Sequence, residues 1–228
     1  CGEITDSEII KNDVRVFKLN DSQLFRFKIY KTSSETVLFS DFHHIITDGV
    51  SQINISDDIG KAYEGKELSQ ELIDGYVYSL IEKDESNSDK YDFAREFFQE
   101  KLNQEIESTV LTPNLNGNAE EGNIRSYKEK IDLKPIEEFC KDNLLSQNAL
   151  FMSATVLNLN KFTFNDETLI TTIFNGRANP NYFNTQGFLV KTLPLIMKHE
   201  NRQMSVKEFI NNVDSVWRDT INNSFYPY

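Results

Sequence analysis

Apolar and polar positions alternate in part over two early stretches, Val14 to Leu19 and Leu24 to Tyr30. Val14 and Val16, then Phe25, Phe27 and Ile29, stand two residues apart, the period that turns strand side chains to one face. Asn20-Asp21-Ser22 between them is turn chemistry, so this region predicts a hairpin. Thr36 to Phe42 is more uniformly apolar and reads as a third, central strand. The period then becomes helical. From about Val50 to Tyr63, the residues Val50, Ile53 and Ile59 fall on an inner side, and Gly65 stands where a helix C-cap belongs. Tyr76 to Ile81 is too short to assign, and the charged stretch Glu82 to Lys90 reads as a loop. Tyr91 to Ile106 is a helix, with Tyr91, Ala94, Phe97, Phe98, Leu102 and Ile106 at helical spacing.

Pro113 to Asn123 concentrates Pro, Asn and Gly with almost nothing to bury, and is read as a linker. Beyond it, Ile124 to Leu133 is taken as a strand. Pro135 suits the first turn of a helix that uses Ile136, Phe139 and Cys140. Ser146 stands as the cap of a further helix, apolar from Ala149 to Leu159. Thr168 to Phe174 is a β-branched strand, and Leu189 to Met197 another, interrupted near Pro194. Ser205-Val206-Lys207-Glu208 is a capping box. The helix it opens offers Phe209, Ile210, Val213, Val216, Trp217 and Ile221 to a core. These elements predict an α/β (α+β) protein of two lobes, residues 1–112 and 124–228, joined by the linker 113–123.

Composition narrows the class. The chain has 228 residues, enough for one large or two small domains, and its 39% apolar content with 17 Phe can fill a core. A net charge of −12 gives no electrostatic footprint for nucleic acid. Cys1 and Cys140 could pair, but two cysteines make neither a disulfide framework nor a zinc cluster, and a reducing compartment is the simpler reading. No apolar run approaches a membrane span, and Cys1-Gly2-Glu3-Ile4-Thr5-Asp6 is not a signal peptide. A cytoplasmic protein is expected. With no initiator Met, a cut-down or processed chain is also expected.

The chemistry concentrates in Phe42-His43-His44-Ile45-Ile46-Thr47-Asp48-Gly49-Val50-Ser51, which holds two of the three histidines. It joins a strand to a helix, where open-sheet enzymes place reactive groups. Adjacent residues on extended backbone face opposite ways, so one histidine faces a cavity and the other the scaffold. Imidazole, with an unperturbed pKa of about 6.5, suits proton transfer near neutrality. Asp48 is placed either to fix the loop or to orient a ring. Gly49 serves either an unusual backbone angle or the close approach of a ligand. A zinc site lacks a third strong ligand set nearby, and two ordinary histidines at a strand end remain the bland alternative.

These residues resemble the HHxxxDG signature of nonribosomal peptide synthetase condensation domains, within the chloramphenicol acetyltransferase-like superfamily. Tyr91-Asp92-Phe93-Ala94 resembles the family's YxDYA-type motif. Asn175-Gly176-Arg177, followed by Gln186-Gly187-Phe188-Leu189-Val190-Lys191-Thr192-Leu193-Pro194-Leu195, is similar to its GR…IGxFVNTLPLR region. Asn223-Ser224-Phe225-Tyr226-Pro227-Tyr228 resembles a degraded HQDYPFE motif. The resemblance implies two chloramphenicol acetyltransferase-like lobes in a V with a tunnel at their junction. It implies amide bond formation between an upstream acyl or peptidyl thioester and a downstream aminoacyl thioester. The partners implied are carrier-protein domains and the upstream and downstream synthetase modules. No intrinsic cofactor or metal is implied, since the phosphopantetheine arms arrive as substrate. By position His44 is the catalytic residue. His43 and Asp48 are supports, with Asp48 in a buried salt bridge, and the Gly49 N–H faces the oxyanion.

Some parts depart from the pattern. The family's first two motifs lie upstream of HHxxxDG and are absent, and the chain stops at the sixth motif, so truncation at both ends is expected. The arginine that pairs with the motif's Asp is expected in the missing part, and Arg177 is a candidate tunnel residue without that assignment. Lys191 replaces the usual Asn, and the leading His of the sixth motif is missing. A stand-alone acyltransferase, an epimerisation domain and a non-catalytic carrier-protein docking domain are the alternatives. The docking reading rests on the missing partner of Asp48.

Overall fold

The computed structural model describes residues 11–20, 23–31, 35–103, 106, 109–111, 126–199 and 203–226. The chain divides into two compact units, residues 1–83 with 175–190 and residues 84–174 with 191–228. The expected linker 113–123 lies outside the described residues.

In the first unit, β1 (Phe25–Lys31) pairs antiparallel with β2 (Thr36–Phe42), Phe25 opposite Phe42 and Lys31 opposite Thr36. The hairpin is therefore formed one element later than the alternation suggested. Residues 14–18 form no strand, and Val16 is 94% exposed. Side chains of β1 hold this segment instead. The Lys28 ammonium pairs with Asp13, and the Arg26 guanidinium carbon lies 3.7 Å from the Phe17 ring centre. Asp21 and Ser22 of the expected turn lie outside the described residues. Among the described residues β2 pairs only with β1, and its first six residues alternate between exposed and half-buried, so it is not a central strand.

Helix α1 (Gly49–Tyr63) follows, ending where Gly65 adopts φ 70° and the Lys66 N–H reaches the Lys61 carbonyl at 2.9 Å. That is the expected glycine stop, since only glycine takes this backbone angle without strain. The inner side differs from expectation: Ile53 is exposed and Ser51 is the buried residue. Tyr76 to Ile81 belongs to α2 (Gly75–Glu85), which continues into the stretch expected as a loop. Ser88 then caps α3 (Asp89–Leu102), which stops before Ile106.

The second unit holds α3 and an apolar core. Pro135 lies in the first turn of α4 (Lys134–Asn143), and the Ser146 side chain accepts from the Ala149 N–H to cap α5 (Gln147–Thr163). Strand β3 (Glu167–Phe174) pairs antiparallel with β4 (Lys191–Lys198), which passes through Pro194 without interruption. A proline is tolerated where its missing N–H is not required by the ladder. The capping box of Ser205 and Glu208 opens α6 (Val206–Asn222). Leu193, Leu195 and Met197 alternate along one face of β4 and pack with Phe98, Met152, Val156, Val213 and Trp217. Residues 126–133, expected as a strand, form none; Tyr127 and Ile131 are exposed, so no apolar face drives pairing there. Cys140 is buried and free. No described helix is long and apolar enough to cross a membrane.

Candidate active site

The histidine turn begins where β2 ends. The His43 N–H donates to the Leu24 carbonyl at 2.9 Å, prolonging the strand by one bond. His43 then keeps extended backbone, and its Nδ1 accepts from the Ile45 N–H at 3.1 Å, capping a one-turn 3₁₀ helix, His44–Ile46. Its half-buried ring stands edge-on to Phe17 at 6.0 Å. The ring of His44 is exposed and edge-on to Phe188 at 5.5 Å. The two histidines thus take separate partners, His43 on extended backbone beside Phe17 and His44 in the 3₁₀ turn beside Phe188.

Asp48 carries the turn into α1. Its side chain accepts from the Ser51 N–H at 2.9 Å as the helix N-cap. The same carboxylate receives Arg177 in a two-pronged pair, Nη1 to Oδ2 at 2.8 Å and Nη2 to Oδ1 at 3.0 Å, with both side chains 2% exposed. The Leu189 N–H donates to Oδ2 at 3.0 Å. Burial alone would raise the Asp48 pKa. The Arg177 hydrogen bonds, the Ser51 and Leu189 N–H groups and the guanidinium charge outweigh it, and hold the carboxyl at about 2.

The two terminal nitrogens of the guanidinium make further bonds, while the buried Nε has no hydrogen-bond partner. Nη1 donates to the Asn175 carbonyl, and Nη2 to Ser51 Oγ and the Thr185 carbonyl, each at 3.0 Å. Ser51 Oγ donates to the Gly187 carbonyl at 2.8 Å and accepts from the Gly187 N–H at 3.0 Å. Thr185 Oγ1 donates to the Ile73 carbonyl at 2.6 Å. Arg177 reaches this position through Gly176, at φ 71°, where an added Cβ would collide with the Leu189 carbonyl oxygen. Only glycine fits there.

Two expectations change. The arginine paired with Asp48 lies within the chain, 129 residues away, not upstream of it. Gly49 is not among the glycines with positive φ, and a Cβ there would meet open space. The unusual-angle reading of Gly49 therefore gives way to open access at the first turn of α1. Ser51, Thr185 and the Leu189 N–H were not singled out in sequence. Asp48 three residues ahead of Ser51, before a helical pattern, is a capping signal that points to the first of them. Among the described residues no group of three or more His, Cys, Asp or Glu gathers as a metal site.

The remaining matched segments lie in the second unit. Tyr226 packs on Tyr91 at 5.3 Å and on Phe98 at 6.3 Å. Lys191 donates to the Ser224 carbonyl at 3.1 Å, giving the unusual lysine a structural bond.

A strand-end histidine followed by a helix-capping aspartate locked to a distant arginine, on this mixed helix-and-strand fold, defines a class. The condensation-domain family matches residues 3–228, and the chain belongs to that family. Bacitracin synthase 1 of Bacillus licheniformis is 24% identical over 232 residues, covering 100% of this chain and 4% of that protein. Among solved structures, VibH, an NRPS condensation enzyme, aligns with a TM-score of 0.75 at 17% identity, over 96% of this chain and 53% of VibH. The epimerization domain from the third module of tyrocidine synthetase B aligns with a TM-score of 0.69 at 16% identity, over 89% of this chain and 49% of that one. The chain thus spans about half of these solved chains and a small part of the synthetase.

Proposed function

We propose that this chain is the part of a condensation enzyme that carries the catalytic histidine, joining an upstream acyl or peptidyl thioester to the amine of a downstream aminoacyl thioester. The observation that carries this reading is the exposed His44 ring, on a turn whose flanks are fixed by the His43 cap and the buried Asp48–Arg177 pair. A preorganised imidazole at such a turn suits a general base, a role worth about 10²–10⁴-fold. In the reaction the amine attacks the thioester carbonyl and a C–N bond forms. His44 takes the amine proton, and the Gly49 N–H at the start of α1 suits the oxyanion. Collapse breaks the C–S bond, and the departing thiolate receives the proton. The phosphopantetheine thiols belong to the partner carrier proteins and enter as substrate. Synthetase modules on either side, in the cytoplasm, are the expected setting.

The docking-only alternative loses its motive, because Asp48 has a partner in Arg177. The intact protein that carries this sequence, given a loaded donor and a loaded acceptor carrier protein, should form the amide on the acceptor arm, as read by intact-protein mass spectrometry. Product from acyl-CoA without any donor carrier would make it a stand-alone acyltransferase. Exchange of the Cα proton without amide formation would make it an epimerase, whose fold it also shares.

A further inference from the structure

Phe188 is a large apolar side chain left 50% exposed in a tightly hydrogen-bonded segment. The backbone on both sides of it is pinned. Gly187 gives its N–H to Ser51 Oγ and receives the Ser51 hydroxyl on its carbonyl, while the Leu189 N–H donates to Asp48 Oδ2. Leu189 turns its side chain into the interior at 2% exposure, so Phe188 between the two points outward. Its ring meets the ring of His44 edge-on at 5.5 Å, within the range of a favourable aromatic pair.

Asp48 therefore acts on the turn from two directions. It caps α1 four residues after His44, and it holds the segment before β4 that presents Phe188. Neither burial nor core packing accounts for an exposed aromatic ring on so firmly bonded a backbone. An imidazole on an exposed turn otherwise samples several side-chain rotamers, only some of which suit proton transfer. We infer that Phe188 is a positioning residue, which restricts the His44 ring to one orientation and couples that orientation to the Asp48–Arg177 pair. The inference rests on the condensation reading for its consequence in rate, but not for the contact itself.

Two substitutions separate the ring from its bulk. Phe188→Leu keeps an apolar side chain without the aromatic face; Phe188→Tyr keeps the face. The chain has three histidines, so carbon-labelled imidazoles are readily assigned in its NMR spectrum, with circular dichroism confirming that each variant folds. The His44 ring protons should carry a ring-current shift in the original chain and in Phe188→Tyr, and lose it in Phe188→Leu. In the intact protein, Phe188→Leu should lower kcat about 2- to 10-fold with KM for the acceptor carrier protein unchanged, and Phe188→Tyr should restore it. Unchanged His44 resonances in Phe188→Leu would overturn the inference. So would a rise in KM at constant kcat, which would make Phe188 a substrate contact. If the unsubstituted protein forms no amide, the functional reading fails, and the NMR comparison alone decides the positioning role.

Discussion

The two units are held together by opposite means. In the second, side chains from α3, α5, β4 and α6 bury an apolar cluster around Leu195 and Val213, both fully buried. In the first, the buried residues are largely polar: Asp13, Thr47, Asp48, Ser51, Arg177 and Thr185. An apolar core is non-directional, and its stability is the sum of many small contacts. A buried ion pair is directional and depends on the geometry of the hydrogen bonds around it. The first unit therefore trades tolerance for geometric precision, and it is the unit that carries His44.

The comparison can be broken most sharply at Arg177. Arg177→Met leaves the Asp48 charge buried without its partner, and should cost about 3–5 kcal/mol of stability in urea denaturation. The double variant Asp48→Leu with Arg177→Met should recover most of that loss while losing function. A cost for Arg177→Met below about 0.5 kcal/mol, the range of surface changes, would show that the lock contributes little. Leu195→Ala in the apolar core should cost about 2–5 kcal/mol, with the same value at acid and neutral pH.

Acid distinguishes the two units next. The folded Asp48 pKa of about 2 lies below its ordinary 3.8. The unfolded chain therefore binds the proton more readily, and the group stabilises the fold above about pH 4. That contribution, roughly 2 kcal/mol, is lost as the pH falls through 2. Comparing urea midpoints of the original chain and Asp48→Asn across this window tests it: the difference should shrink toward acid, and a constant difference would contradict the assignment. The smallest effect is expected at Val16. Val16→Thr should change stability by less than about 0.5 kcal/mol, whereas a strand in a sheet would feel it more.

The same contrast explains what could be read in the sequence. The apolar unit declared itself, because helical spacing in Tyr91 to Leu102 and in Phe209 to Ile221 is a local property, and the Ser146 and Ser205 caps are local too. The strand periods of β3 and β4 were equally plain. Alternation at Val14 and Val16 misled, because pairing depends on what lies alongside, and Asp13 and Phe17 are engaged by the side chains of Lys28 and Arg26. The histidine turn was legible as a motif and through its family resemblance. The resemblance implied a buried salt bridge for Asp48, but its partner was not legible, since Asp48 and Arg177 are 129 residues apart and no periodicity joins them. Gly176 was the nearest clue, a glycine required by the Leu189 carbonyl immediately before the arginine.

The central claim is that the polar unit exists to present His44. It is tested most directly by the amide-forming rate of His44→Ala against the unsubstituted protein, with both carrier proteins loaded and the fold verified. The expected result is a loss of about 10²–10⁴-fold with stability nearly unchanged, as befits an exposed ring. A His44→Ala protein that forms the amide at full rate would contradict the claim.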